Sequence, residues 1–320
     1  MAKKNFDIEE TVGVVEEPVA VEKEFDIPMP QTPSVEERRT TAPAGLSSAE
    51  IADPNSINVT VADQTVPIII LFGPTSCGKT MTLIRLTRYL KLHGFCVNPI
   101  KSFRPAHDEH YQKLCKDFNK LVDSDDAAFG TSMISFMLVE VLTGTGKRIC
   151  QILEAPGEYY FSPSDPAKPF PNYVNNILSL PNRKIYLFMV EPNWMDDSDR
   201  RAYVTRISTL KQHHMRPRDR AVFLYNKVDD SPFVISPGVV NMQGVKTDIA
   251  NMYPGMFTKF ANVNPITRFF RPYNCDLIPF SNGFFNYAAL ADGTQKKTYV
   301  QGADEYPHRL WNRLMKQIRG

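Results

Sequence analysis

Gly73-Pro74-Thr75-Ser76-Cys77-Gly78-Lys79-Thr80 decides the reading of this chain. Two glycines five residues apart, followed by Lys and Thr, give the spacing G-x-x-x-x-G-K-[ST], which requires a strand before it and a helix after it. Both patterns are present. Ile68, Ile69, Ile70, Leu71 and Phe72 form a short apolar, largely β-branched run of the kind buried on both faces of a parallel sheet. From Lys79 to Leu92 the positions Leu83, Leu86 and Leu90 recur at helical spacing, and Gly94 offers a stop. The spelling has a physical reason. Gly73 and Gly78 let the backbone wrap an anion with its N–H groups pointing inward, and the helix N-terminus adds a favourable dipole. Thr75, Ser76, Cys77 and Met81 complete that cradle. Lys79 then reaches the β- and γ-phosphates of a nucleotide, and the Thr80 hydroxyl ligates Mg²⁺.

Outward from this loop the chain alternates strands and helices. An amphipathic helix is expected over 108–122, with Tyr111, Leu114, Cys115, Phe118 and Leu121 on one stripe. Ile134–Leu142 and Arg148–Leu153 read as an antiparallel hairpin around Thr143-Gly-Thr-Gly-Lys147. Apolar strands follow at Ile185–Val190, Ala221–Tyr225 and Asp276–Phe280, with helices near 197–212 and 246–260 between them. A small hairpin, Phe284–Leu290 with Lys296–Tyr299, precedes a last helix from Pro307 carrying Leu310, Trp311, Leu314 and Ile318. The expected fold is α/β: three layers, a mostly parallel sheet with one antiparallel hairpin strand, and a small C-terminal hairpin and helix.

The phosphate loop does not choose between ATP and GTP. Asn226-Lys227-Val228-Asp229, directly after the strand Ala221–Tyr225, does. A carboxylate there accepts hydrogen bonds from the ring N–H and exocyclic amine of guanine, whereas adenine would leave it unpaired. With the loop first and N-K-x-D well downstream, residues 66–320 resemble the P-loop GTPases, whose central domain is Ras-like. The resemblance implies GTP or GDP with Mg²⁺ and assigns further positions. Leu153-Glu154-Ala-Pro-Gly157-Glu158 matches the D-x-x-G-Q segment, with Glu154 in place of the Mg²⁺-side Asp and Glu158 in place of the water-orienting Gln. Thr131, with Ser132 as a chemical equivalent, falls where the Mg²⁺-contacting threonine belongs, and Ser281-Asn282 where the S-A segment supports the base. By resemblance the catalytic set is Lys79, Thr131, Gly157 and Glu158, and the metal set is Thr80, Thr131 and Glu154. The hairpin ahead of the acidic segment is similar to the translation-factor-related branch, and the Glu-x-Pro-Gly-Glu variant to divergent bacterial members that act on protein partners. A non-hydrolysing GTP/GDP scaffold and an ATP-dependent enzyme are the competing readings.

Residues 1–60 contrast with this body. They are rich in Glu, Val, Pro, Ser and Thr and hold 12 Asp/Glu against 5 Lys/Arg, which leaves about +9 on the rest of a chain whose net charge is +2. Such a segment is expected to be a disordered acidic tail, with the domain spanning 61–320. Within it Phe6-Asp7-Ile8 and Phe25-Asp26-Ile27 repeat, either by chance or as motifs that dock on a protein partner. The five cysteines are scattered, with no C-x-x-C, which points away from zinc and from a disulfide framework. Without an apolar run of membrane length or a signal-peptide core, the expected location is cytoplasmic. Neither the small net charge nor any motif makes a case for nucleic acid. Three further features are His107-Asp-Glu-His110, read as a solvated face; the basic stretch Arg200-Arg201 and Arg216 to Arg220; and Cys77, read as an oxidation or alkylation site.

Overall fold

A computed structural model describes residues 45–123, 136–193, 196–289 and 295–320, with only the backbone for the hairpin residues 285–289 and 295–298. Its centre is β1, Ile68–Phe72, an apolar run buried along its whole length. Around it lie β2 (Cys96–Pro99), β3 (Met137–Leu142), β4 (Arg148–Glu154), β5 (Lys184–Val190), β6 (Arg220–Tyr225) and, after the short pair β7 (Val234–Ser236) and β8 (Val239–Val240), β9 (Asp276–Pro279). The seven-stranded sheet runs β2-β3-β4-β1-β5-β6-β9, and only β3 opposes its neighbours. This is a mostly parallel α/β sheet, with β10 (Phe284–Ala289) and β11 (Gln295–Val300) forming a separate antiparallel hairpin.

Register explains the core. Phe72, Phe188 and Phe223 are partners across β1, β5 and β6, so their side chains share one face. Ring centroids are 5.4 Å apart for the first pair and 5.2 Å for the second. Tyr160, Tyr203 of the helix Asp197–His213, Phe257 and Phe260 pack on this row. On the other face the helix Lys79–Leu92 packs between Glu109–Asp123 and Glu305–Arg319. The hairpin and the helix spans 108–122 and 197–212 agree with the sequence reading to within a few residues.

Four differences have identifiable causes. Residues 45–60, assigned to the tail, are part of the domain: Ser47 and Glu50 form a reciprocal capping box on the helix Ser48–Ala52, and Leu46 and Ile57 are buried. Isolated docking residues of this kind have no periodicity to betray them. The strand β2 was not legible because its mixed sequence pairs only along one edge. The helix expected over 246–260 starts earlier, at Met242, because Asn241 caps it, and ends at Met252 before Pro254-Gly255. The last helix begins at Glu305, two residues before Pro307, because proline is tolerated in a helix's first turn, where its missing N–H would have no partner. The Phe-Asp-Ile repeats and Thr131 and Ser132 lie outside the described residues.

The docked segment carries a prediction. The Arg104 side chain is buried and pairs with Glu50 and with Asp108, while donating to the Asn58 carbonyl at 2.8 Å. A chain starting at residue 61 strips Leu46 and Ile57 from the core and leaves Arg104 short of a carboxylate, which should cost about 3 kcal/mol or more. Urea unfolding of chains starting at 45 and at 61 measures this; coincident midpoints would contradict it.

Candidate functional site

The loop Gly73–Lys79 joins the C-terminal end of β1 to the helix Lys79–Leu92, the end of a parallel sheet at which strand-helix turns leave a crevice. Its glycines are required by space. A Cβ on Gly78, which has φ +84°, would lie 2.3 Å from Asn226 Nδ2 and 2.5 Å from Asn282 Nδ2. A Cβ on Gly73 would lie 2.6 Å from the Cys77 sulfur. Ser76 also takes a left-handed conformation, φ +66°, so the loop is tightly wound. The Lys79 ammonium is buried and donates to the Pro74 carbonyl at 2.8 Å. Met81 is buried in the first helical turn. Cys77 is fully buried and desolvation pushes its thiol up to about 11, so the reading of it as an oxidation or alkylation site is corrected: the group is shielded and held protonated.

Three later segments converge on this loop. Asn226 donates from Nδ2 to the Cys77 carbonyl at 2.9 Å and keeps a buried Oδ1 with no hydrogen-bond partner. Asn282 accepts from the Thr82 hydroxyl at 3.1 Å and donates to the Gly78 carbonyl at 3.4 Å. The backbone N–H of Val228 donates to the Phe280 carbonyl at 3.1 Å, tying the N-K-x-D turn to the Ser281-Asn282 turn. Asp229 remains exposed. The surrounding protein raises its carboxyl, opposed by a hydrogen bond from the Ser281 hydroxyl. Lys227, at φ +53°, places its ammonium 2.9 Å from Glu191.

On the opposite side of the loop the Thr80 hydroxyl donates to Glu154 Oε1 at 2.9 Å. Glu154 is only 2% exposed. Desolvation pushes its carboxyl up to about 8, against the pull of Lys79 and of the Thr80 hydroxyl. Its Oε2 is buried without a hydrogen-bond partner. The partnerless Glu154 oxygen beside the Thr80 hydroxyl offers oxygen ligands of the kind a small hard cation such as Mg²⁺ prefers, and such a cation would favour the ionised carboxyl. Gly157 presses on the loop so closely that a Cβ there would lie 2.2 Å from Pro74 C and from Thr75 N. The Thr75 hydroxyl donates to Glu158 at 3.1 Å. Gly157→Ala should therefore lift this segment off the loop. Faster amide hydrogen exchange at Glu158 and Tyr159 would register that, and unchanged exchange would count against the close packing.

Sequence reasoning missed two contributors. Glu191, buried at the end of β5, was signalled only by an acid following an apolar strand. Tyr299 of β11 donates its hydroxyl to the Asn282 carbonyl, bringing the C-terminal hairpin into the support of the site. Other singled-out residues lie elsewhere. His107 and His110 are exposed, and no group of three His, Cys, Asp or Glu suited to a metal occurs among the described residues. Arg216 donates to the carbonyls of Leu178, Ser179 and Leu180, capping the helix Asn172–Ser179. Arg206, which the sequence reading does not single out, is committed to the Tyr160 carbonyl at 2.8 Å and stacks over Phe170. No described helix is long and apolar enough to cross a membrane.

No protein-family model and no curated protein sequence matches the chain. Among solved structures it is similar to Methanosarcina barkeri Roco2 RocCORdC bound to GDP, at 11% sequence identity and a TM-score of 0.30. The match covers 82% of this chain and 52% of that one, so this chain spans about half its length.

Proposed function

We propose that the chain is a guanine-nucleotide-binding switch that binds GTP or GDP with Mg²⁺ and hydrolyses GTP slowly to regulate a protein partner. The observation that carries this reading is the convergence on Gly78, where Asn226 and Asn282, from two strand ends, fill the space a side chain would take. Backbone N–H groups of Gly73–Lys79 and the Lys79 ammonium hold phosphate, and Asp229 with Ser281 reads the base edge. Mg²⁺, held by Thr80 and Glu154, would neutralise charge on the phosphates. Gly157 and Glu158 form the segment that responds, since they lie on the loop where a terminal phosphate would be felt.

A second reading, a scaffold that holds nucleotide without useful hydrolysis, draws on the bond from Thr75 to Glu158, which engages the residue standing where a water-orienting Gln is expected. Single-turnover assays separate the two. Nucleotide released by mild denaturation of the purified chain tests both against an ATP-dependent enzyme. Guanine nucleotide is the expected result, and adenine nucleotide would overturn the proposal.

A further inference from the structure

β5, β6 and β9 are parallel, so their N-terminal ends form one pole of the domain and the Gly73–Lys79 loop stands at the other. Just before β9, residues 261–275 leave the body as a finger. Its stem is tied by a bridge between Ala261 and Tyr273, by Asn262 N to the Pro272 carbonyl at 2.9 Å, and by Asn262 Nδ2 to the Arg271 carbonyl at 2.6 Å. Its tip is the short helix Pro265–Phe270, whose first turn is capped by Asn264. Val263, Ile266, Phe269 and Phe270 are 96, 71, 82 and 80% exposed. The two Phe rings brace each other at 5.2 Å. A braced, contiguous apolar tip left in water marks an interaction site.

The pole around the finger is basic. Arg268 and Arg271 are exposed on the finger itself, and residues 261–275 contain no Asp or Glu. Arg218, two residues before β6, is exposed, as are Lys316 and Arg319 in the last turn of the helix Glu305–Arg319. That helix reaches the same pole, since Arg313 and Gln317 bond Asp276 at the start of β9. The acids of the pole are engaged within the fold. Asp219 accepts the backbone N–H groups of Lys184 at 2.9 Å and Arg216 at 2.8 Å. Asp63 pairs with Arg148 at 2.7 Å, and Asp276 is buried against Arg313.

We propose that this pole docks on an anionic lipid bilayer surface, the finger tip entering among the headgroups and the basic residues lying over their phosphates. A bilayer suits both halves of the surface. Nucleic acid would take the charge but leave Phe269 and Phe270 in water, and a free-standing finger offers a peptide no second wall. The nucleotide loop, at the far pole, then faces away from the membrane. The proposal is independent of nucleotide binding.

The test uses the full chain, sedimented with phosphatidylcholine vesicles with and without phosphatidylserine. Binding is expected only where phosphatidylserine is present, falling with added salt. Phe269→Ser combined with Phe270→Ser should weaken it by about tenfold or more, and Arg218→Glu with Lys316→Glu should abolish the lipid preference. In a Phe269→Trp chain, emission relative to the unsubstituted protein should shift to the blue on phosphatidylserine vesicles. Equal sedimentation with both vesicle types, undiminished binding of the double Phe variant, or an unshifted emission would overturn the proposal. So would emission that is already blue without lipid and moves to the red on deletion of residues 1–44, which would place the chain's own N-terminal segment on the finger.

Discussion

The purified chain should hydrolyse GTP well below about 1 s⁻¹, the low end of ordinary enzyme rates, and a partner should raise that rate by about 10³-fold or more. In-line attack on the terminal phosphate needs an oriented water and positive charge on the group in transfer. Lys79 supplies part of that charge, and its buried ammonium already lies within the loop at the Pro74 carbonyl. Two buried arginines of the described residues are spent elsewhere. Arg104 is fixed by Glu50 and Asp108, and Arg206 by the Tyr160 carbonyl and the Phe170 ring. Glu158 accepts from the Thr75 hydroxyl, and as an anion it opposes the charge growing on the phosphate. A partner that inserts an Arg or shifts the Gly157–Glu158 segment relieves both deficits. Multiple-turnover phosphate release by the isolated chain measures the basal rate. A value of about 1 s⁻¹ or faster would make Glu158 a competent water-orienting base and remove the need for a partner.

Asp229→Ala should weaken GTP and GDP binding by about 1.5–3 kcal/mol, the loss of hydrogen bonds to a charged group, or roughly ten- to a hundredfold. The change should leave the fold intact, because Asp229 is exposed and the turn is held by Val228 N and the Phe280 carbonyl rather than by its carboxylate. It should also erase discrimination against adenine, since the unpaired-carboxylate penalty disappears with the carboxylate. Titration of both nucleotides into the variant checks this. Retained preference for guanine would move base recognition to Ser281, Asn282 or the backbone.

Much of this was legible because its determinants are local. The apolar run Ile68–Phe72, the glycines of the loop and the stripe Leu83, Leu86, Leu90 each state their conformation within a few residues. The pairing of N-K-x-D with its strand end was legible for the same reason. What escaped depends on distant partners. Glu154 matched by spacing, but its depth of burial comes from the sheet around it and is set by no neighbour in sequence. Glu191 and Tyr299 meet the site only because β5 ends beside Lys227 and the hairpin folds back on Asn282. Residues 45–60 lacked any repeat, yet Leu46 and Ile57 find sites on a body formed by residues much later in the chain.

Competition between GDP and ADP for the intact chain in Mg²⁺ tests guanine recognition at the Gly73–Lys79 loop most directly. GDP should bind at least about tenfold more tightly, the smallest preference that pairing against a charged carboxylate supports. Equal affinity for the two, or no binding of either, would contradict it.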